Sequence, residues 1–218
     1  GADGLVHLWD VKFNRLAGRY LGHTASVNCV GISRDRRRLV SASDDLTVRL
    51  WEVQPRPLPS VSPPGLPDGR CVACHPEGRW AAIGGAGGAV RVWDAAEYRE
   101  LRAMRGHAGR VLSVAVSSSG AEIATGGSDG VICLWPPDGE RSRLTLNAQV
   151  GPVHALAFHP RGNLLASGGD DCAVRLWSLE TGEPKGIWAG HEDKVTDLAF
   201  SPEGRLLASA SSDGTCRI

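Results

Sequence analysis

The residues best equipped for chemistry are Cys71, Cys74 and His75, which read Cys-Val-Ala-Cys-His. C-x-x-C-H is the signature of covalent c-type haem attachment. A second set, His23, Ser41 and Asp45, holds the side-chain types of a Ser/His/Asp hydrolase. Glycine pairs at 84–85, 87–88, 126–127 and 168–169 raise the idea of a phosphate-binding loop. None of these readings comes with its usual setting. The sequence has no G-x-S-x-G elbow and no G-x-x-x-x-G-K-[ST] loop. Cys29, Cys133, Cys172 and Cys216 are scattered, whereas zinc wants clustered thiolates and imidazoles.

The elements that carry these residues explain them better. Trp9, Trp51, Trp93, Trp135 and Trp177 recur every 42 residues. A fixed period of this length marks a repeat architecture. Aligned on these tryptophans, DGLVHLW (3–9), DLTVRLW (45–51), GGAVRVW (87–93), DGVICLW (129–135) and DCAVRLW (171–177) superimpose, and DGTCRI (213–218) begins another copy. Upstream lie LVSASD, AAIGGA, IATGGS, LLASGG and LLASAS, and before them runs such as VLSVAVSSSG and VHALAFHPRG. These short, β-rich runs bounded by Gly, Asp, Asn or Pro are strand and turn signals. A weaker fourth strand is expected at 15–21, 98–104, 141–146 and 184–190, as suits an exposed outer edge. One such sheet cannot bury both its faces, and stacking sheets radially solves that problem. The spacing therefore predicts an all-β protein of four-stranded antiparallel sheets.

In this register Cys71, Cys74 and His75 fall on a first strand and its turn, and the glycine pairs fall in turns between second and third strands. A trio that recurs in repeat after repeat, as His23/Ser41/Asp45 does, reads as architecture. Neither a cofactor nor a metal is expected, and no catalytic residue.

The chain resembles the WD40 repeat family of β-propellers. The Gly-His element stands at Gly22-His23, Gly106-His107 and Gly190-His191, and the Trp-Asp element at Trp9-Asp10 and Trp93-Asp94. The resemblance implies about five blades, part of a seven-bladed ring, and an excerpt of a longer protein. It divides the chain at 1–21 (end of a blade), 22–63, 64–105 (degenerate), 106–147, 148–189 and 190–218 (start of a blade). It also implies a buried His–Ser/Thr–Asp–Trp hydrogen-bond set in each blade. The matching positions are His23, Ser41, Asp45 and Trp51; His107, Thr125, Asp129 and Trp135; Ser167, Asp171 and Trp177, with Gln149 for His; and His191, Ser209 and Asp213. The 64–105 repeat keeps only Trp93, with Gly65, Ile83 and Gly87 at the other places, and should be the least stable blade.

Function is then expected on the loops. Partners of similar proteins dock on the face of blade-entry loops and second-to-third-strand turns. Those positions here are Ser26, Asn28 and Asp44; Asp68, Arg70 and Ala86; Arg110, Leu112 and Ser128; Pro152, His154 and Asp170; Lys194, Thr196 and Ser212. They are small, polar and of both charges, with no aromatic anchor. The segment 54–70 holds six of the 13 prolines where a fourth strand belongs, and reads as a degraded edge strand. Lys plus Arg equals Asp plus Glu at 24 each, so no global basic footprint for nucleic acid exists. The run Arg34, Arg36, Arg37, Arg38 reads as a solvated turn. No apolar run approaches the ~18 residues of a membrane span. The expectation is a non-catalytic protein-interaction scaffold in the cytoplasm, binding protein rather than nucleic acid, membrane or small-molecule substrate. Similar bacterial repeats often accompany a serine/threonine kinase or another signalling domain. The alternative is a haem-bearing redox module through Cys71, Cys74 and His75.

Overall fold

The structure, a computed structural model, describes residues 1–33, 36–53, 69–97, 99–147 and 151–218. It is all-β, and its small antiparallel sheets take a five-bladed β-propeller arrangement. Each sheet is a meander, its strands hydrogen-bonded in chain order. The first sheet has two strands, β1 (Val6–Asp10) and β2 (Arg15–Tyr20). The second has β3 (Val27–Ile32), β4 (Arg38–Ser43) and β5 (Val48–Glu52). Three complete four-stranded sheets follow: β6 (Gly69–Cys74), β7 (Trp80–Gly85), β8 (Ala89–Asp94) and β9 (Glu100–Arg105); β10 (Val111–Val116), β11 (Ile123–Gly127), β12 (Val131–Trp135) and β13 (Leu144–Asn147); β14 (Val153–Phe158), β15 (Leu164–Gly169), β16 (Ala173–Ser178) and β17 (Pro184–Ala189). The last sheet holds β18 (Val195–Phe200), β19 (Leu207–Ser211) and the two-residue β20 (Cys216–Arg217). Most of the proline-rich segment, and with it the expected edge strand, lies outside the described residues, as do Arg34, Asp68 and Gln149.

The core lies between sheets rather than within them. Five apolar clusters each join one sheet to the next, from Val6, Tyr20, Leu39 and Trp51 at one end to Ala155, Ala166, Val174, Val195 and Leu198 at the other. None of these clusters joins the β18–β20 sheet to the β1–β2 sheet. The second strands β4, β7, β11 and β15 are buried on both faces, all five residues of β11 among them, whereas β19 is mostly half-buried and the outer β17 is almost wholly exposed. That gradient explains why second strands are rich in Ala, Ser and Gly. A Cβ placed on Gly126 would lie 2.6 Å from Val153 Cγ1 of the next sheet, and Gly84 and Gly168 meet Val111 and Val195 in the same way. These glycines are therefore not turn residues, as their neighbourhood in the sequence suggested. They end the second strands, and glycine is needed where the first-strand valine of the next sheet presses on the backbone.

Trp93 is the exception among the buried framework tryptophans. It is buried, yet its indole Nε1 has no hydrogen-bond partner among the described residues. Ile83 stands where the sheets on either side have Ser41 and Thr125. An orphaned buried donor costs about 1–3 kcal/mol. Ile83→Thr supplies the missing acceptor and should cost under about 1 kcal/mol. Val90→Thr, which buries a hydroxyl in the same sheet without such a donor, should cost about 1–3 kcal/mol. Urea midpoints of the two variants check this, and equal losses would show that the indole gains nothing from the hydroxyl.

Candidate interaction face

In three of the sheets a buried polar chain ties the entry loop to the interior. His23 Nδ1 lies 2.8 Å from Asp45 Oδ2 and its Nε2 lies 2.7 Å from Ser41 Oγ, while Trp51 Nε1 donates to that same Oγ at 2.9 Å. The hydrogen count assigns the protons. Asp45 accepts from Nδ1–H, leaving Nε2 to accept the Ser41 hydroxyl, whose oxygen takes the indole N–H. The imidazole is neutral in this scheme. In the β10–β13 sheet His107 lies 3.2 Å from Asp129 and 2.8 Å from Thr125, with Trp135 Nε1 donating to Thr125 at 2.9 Å. In the last sheet His191 meets Asp213 and Ser209 at 2.8 Å each. Trp177 donates to Ser167 at 2.8 Å, and Arg175 pairs with Asp171 at 2.5 Å.

The order carboxylate–imidazole–hydroxyl is that of a hydrolytic triad, but the hydroxyl is spent. Ser41, Thr125 and Ser167 are fully buried, and each oxygen already receives an indole N–H. No substrate carbonyl can reach such a group. Sequence reading missed Thr47 and Thr215. Their hydroxyls donate to Asp45 and Asp213 at 2.6 and 2.7 Å. The signal was available as Asp-x-Thr at both places.

These contacts set the acid response. Burial alone would raise the Asp45 pKa. Hydrogen bonds from the Thr47 hydroxyl, the Thr24 N–H and His23 outweigh it and hold the carboxyl well below the usual range. At Asp129 burial is likewise outweighed by Ala108 N–H and His107, and at Asp213 the Thr215 hydroxyl leads. Burial pushes His23 and His75 down. A depressed histidine binds fewer protons folded than unfolded, so its contribution is complete above about pH 6.5 and drains away below it. A depressed carboxylate contributes fully above about pH 4 and loses that contribution below it. Stability should therefore be level near pH 7–8 and fall in two stages on acidification. A urea midpoint that does not move between pH 7 and pH 5 would contradict the histidine stage.

In four sheets the entry loop meets the second-to-third-strand turn at the same end. Asp44 N–H donates to Ser26 O, Ser128 N–H to Arg110 O, Asp170 N–H to Pro152 O and Ser212 N–H to Lys194 O, at 2.8–3.2 Å. Side chains repeat the pairing. Asn28 donates to Asp44 at 2.7 Å, and His154 Nε2 lies 2.7 Å from Asp170 Oδ1. Ser128 Oγ accepts from Arg110 N–H at 2.9 Å, and Thr196 donates to Ala210 O at 3.3 Å. Asp44, Arg70, Arg110, Ser128, Asp170, Lys194, Thr196 and Ser212 are exposed, whereas Ser26, Ala86, Leu112, Pro152 and His154 are half-buried. The result is a rim of paired polar groups. Glu192 and Asp193 add exposed acid beside Lys194 that the repeat alignment did not single out.

Cys71 and Cys74 do not fit a haem. They lie three apart on β6, so their side chains leave opposite faces of the sheet. Cys71 Sγ donates toward Val111 O of the following sheet at 3.7 Å, whereas Cys74 Sγ lies against Gly31 of the preceding one. Two thioether links to one porphyrin need both sulfurs on one side. Burial pushes the Cys74 thiol up to about 12 and the Cys71 thiol up as well. His75 Nδ1 already accepts from Glu77 N–H at 3.1 Å, and its ring packs on Trp80 with centroids 4.9 Å apart.

The comparison with known families decides what these sheets are. The WD domain, G-beta repeat model matches residues 14–52, 69–94, 98–136, 140–178 and 182–218. The chain belongs to the WD40 repeat family. The shortest WD40 match, 69–94, covers part of the repeat that lacks the polar set. Telomerase protein component 1 of Mus musculus is 28% identical over 126 residues, which is 54% of this chain and 5% of that protein. Pre-mRNA-processing factor 17 of Homo sapiens is 29% identical over 82 residues, 37% of this chain and 14% of that protein. Autophagy-related protein 16 of Arabidopsis thaliana is 29% identical over 121 residues, 54% of this chain and 23% of that protein. The WD40 chain thus spans a small part of each relative's length. WD40 propellers are typically protein-interaction scaffolds and usually non-catalytic. Among the described residues no helix is long and apolar enough to cross a membrane.

Proposed function

We propose that this chain is a non-catalytic scaffold whose rim of entry loops and second-to-third-strand turns presents polar side chains to a protein partner, or to another domain of the same polypeptide, such as a serine/threonine kinase. The observation that carries this reading is the repeated pinning of the rim. The turn is bonded to its entry loop, and in three sheets the loop is tied to the interior by a His–Asp pair. A surface held this way loses little conformational entropy on binding. Its exposed groups are of both signs and include no aromatic side chain, so the partner surface is polar and association should weaken with salt. The thiols of Cys29, Cys71, Cys74 and Cys133 are all unpaired, which suits a reducing compartment such as the cytoplasm.

A photo-crosslinking residue placed at Arg110 or Lys194 should capture a discrete protein in the source cells. The same residue at Glu77 or Arg161, in first-to-second-strand turns at the opposite end of the sheets, should not. Equal capture from both ends, or capture from the Glu77 end alone, would put the function elsewhere.

A further inference from the structure

At the end of the sheets opposite the rim, the first-to-second-strand turns of neighbouring sheets meet. Ser33, Ser117 and Ser201 open three of these turns, and each closes its own. Their hydroxyls accept the N–H five residues on, from Arg38 and Glu122 at 3.0 Å and from Leu206 at 3.2 Å. His75 and His159 stand at the same place in the other two turns and reach outward instead. Each Nδ1 accepts the N–H two residues on, from Glu77 to His75 at 3.1 Å and from Arg161 to His159 at 3.2 Å. The ring proton therefore sits on Nε2. That nitrogen is aimed at a glycine of the next sheet. A Cβ on Gly120 would lie 2.1 Å from His75 Nε2, and one on Gly204 would lie 2.2 Å from His159 Nε2.

Gly162 supplies the internal control. It is the equivalent glycine after Ser117, and a Cβ there would meet nothing within 4 Å. Gly120 and Gly162 share a left-handed backbone, with φ of 73° and 77°, so both positions favour glycine for that reason. Only Gly120 also carries an imidazole. His75 is the more enclosed of the two histidines, at 7% exposed, whereas His159 is half-buried. The charges around His75 are Glu77 and Arg79 in its own turn, which pair with each other at 2.5 Å. From the preceding sheet Arg38 donates to Gly78 O at 2.9 Å, and from the next sheet Glu122, two residues beyond Gly120, is held by Arg143. Asp94, opposite Trp80 on β8, is taken by the N–H groups of Ala96 and Glu97. Among the described residues no carboxylate bonds the His75 ring, unlike the rings of His23, His107 and His191.

We propose that His75 is a proton-operated latch between the β6–β9 and β10–β13 sheets. Neutral, it accepts from Glu77 N–H and fills the slot over Gly120. A proton added at Nδ1 meets the Glu77 N–H head-on and places a cation in that slot with no bonded carboxylate. The ring then leaves Gly120, and the turn 75–79 parts from the next sheet. Burial, with Arg79 beside it, holds the His75 pKa below its ordinary value of 6.5 while the latch is closed. The open form binds the extra proton more readily. Opening is therefore constant above about pH 6.5 and rises below it, by at most about tenfold per pH unit.

Nitrogen-15 NMR of the 218-residue chain should show His75 as the Nε2–H tautomer at neutral pH, titrating below 6.5. The amides of Glu77 and Gly78, which bond to His75, should lose severalfold more protection against hydrogen exchange between pH 7.5 and pH 5 than the amide of Arg38, which bonds to Ser33. His75→Ser, which installs the serine of the other turns, should abolish that extra loss. Gly120→Ala should lower the urea midpoint more than Gly162→Ala, and the excess should vanish in the His75→Ser background. An Nδ1–H tautomer, or titration at 6.5 or above, would overturn the latch. So would equal losses for the two alanine variants, or an acid-dependent loss of protection that survives His75→Ser.

Discussion

Asp45→Ala should destabilise the protein by about 3–5 kcal/mol, because several donors lose a charged acceptor at about 1–3 kcal/mol each. Four donors end on this carboxylate: His23 Nδ1 at 2.8 Å, Thr24 N–H and Thr47 N–H at 2.9 Å each, and the Thr47 hydroxyl at 2.6 Å. Alanine leaves all four without an acceptor. The two ring nitrogens then lose their fixed roles, and Ser41 and Trp51 are disturbed behind them. Asp45→Asn keeps one oxygen acceptor and the shape, so it should cost clearly less than alanine. Urea unfolding with an unchanged slope measures both variants. A loss below 1 kcal/mol for the alanine variant would show that the loop is held by its backbone contacts, and that the polar set is not what makes the rim rigid.

Trp135→Ala should cost about 3–5 kcal/mol as well, but for a different reason. The side chain is 1% exposed and sits in the cluster joining the β6–β9 and β10–β13 sheets with Met104, Val90, Val92 and Ile123. Removing it opens a cavity between two blades and leaves the Thr125 hydroxyl without its indole donor. It also vacates the space over Gly106, where a Cβ would lie 2.6 Å from the indole Cη2. Gly106→Ala should therefore be destabilising in the native protein and tolerated in the Trp135→Ala background. A double-mutant cycle measures that coupling, and additive losses would rule out the indole as the reason for glycine in the Gly-His element.

Much of this molecule is legible along the chain because its strands and turns are local. The residues 123–127 read as a second strand from their small and β-branched types, and Asp129 reads as a turn residue from Gly130 beside it. The recurrence of His107, Thr125 and Asp129 at the spacing of His23, Ser41 and Asp45 marked all six as framework. The weak edge strands emerged with shifted ends, at Glu100–Arg105 and Leu144–Asn147 rather than 98–104 and 141–146, because their faint alternation sets no sharp boundary. Thr47 and Thr215 escaped because two repeats of the pattern are a thin signal. The rim positions could be listed from the alignment, but their pairing, such as Asn28 with Asp44 and His154 with Asp170, needed the turn and the entry loop side by side.

By itself the amino-acid sequence determined the 42-residue period, the all-β class, the family and the places of the polar sets, all of which depend on residue type and spacing within one repeat. Only the tertiary structure decided what each sheet presses against. Ser113 Oγ reaches Val153 O, Arg38 reaches Gly78 O and Ser118 reaches Pro160 O, each about one repeat away in the chain. Such contacts decide that Gly126 is a packing glycine, that Cys71 and Cys74 face different neighbours, and that Ile83 leaves the Trp93 N–H unanswered. Spacing within a strand says which residues share a face. Which face meets which neighbour is set by the stacking of whole sheets, whose energy is shared among residues some forty positions apart.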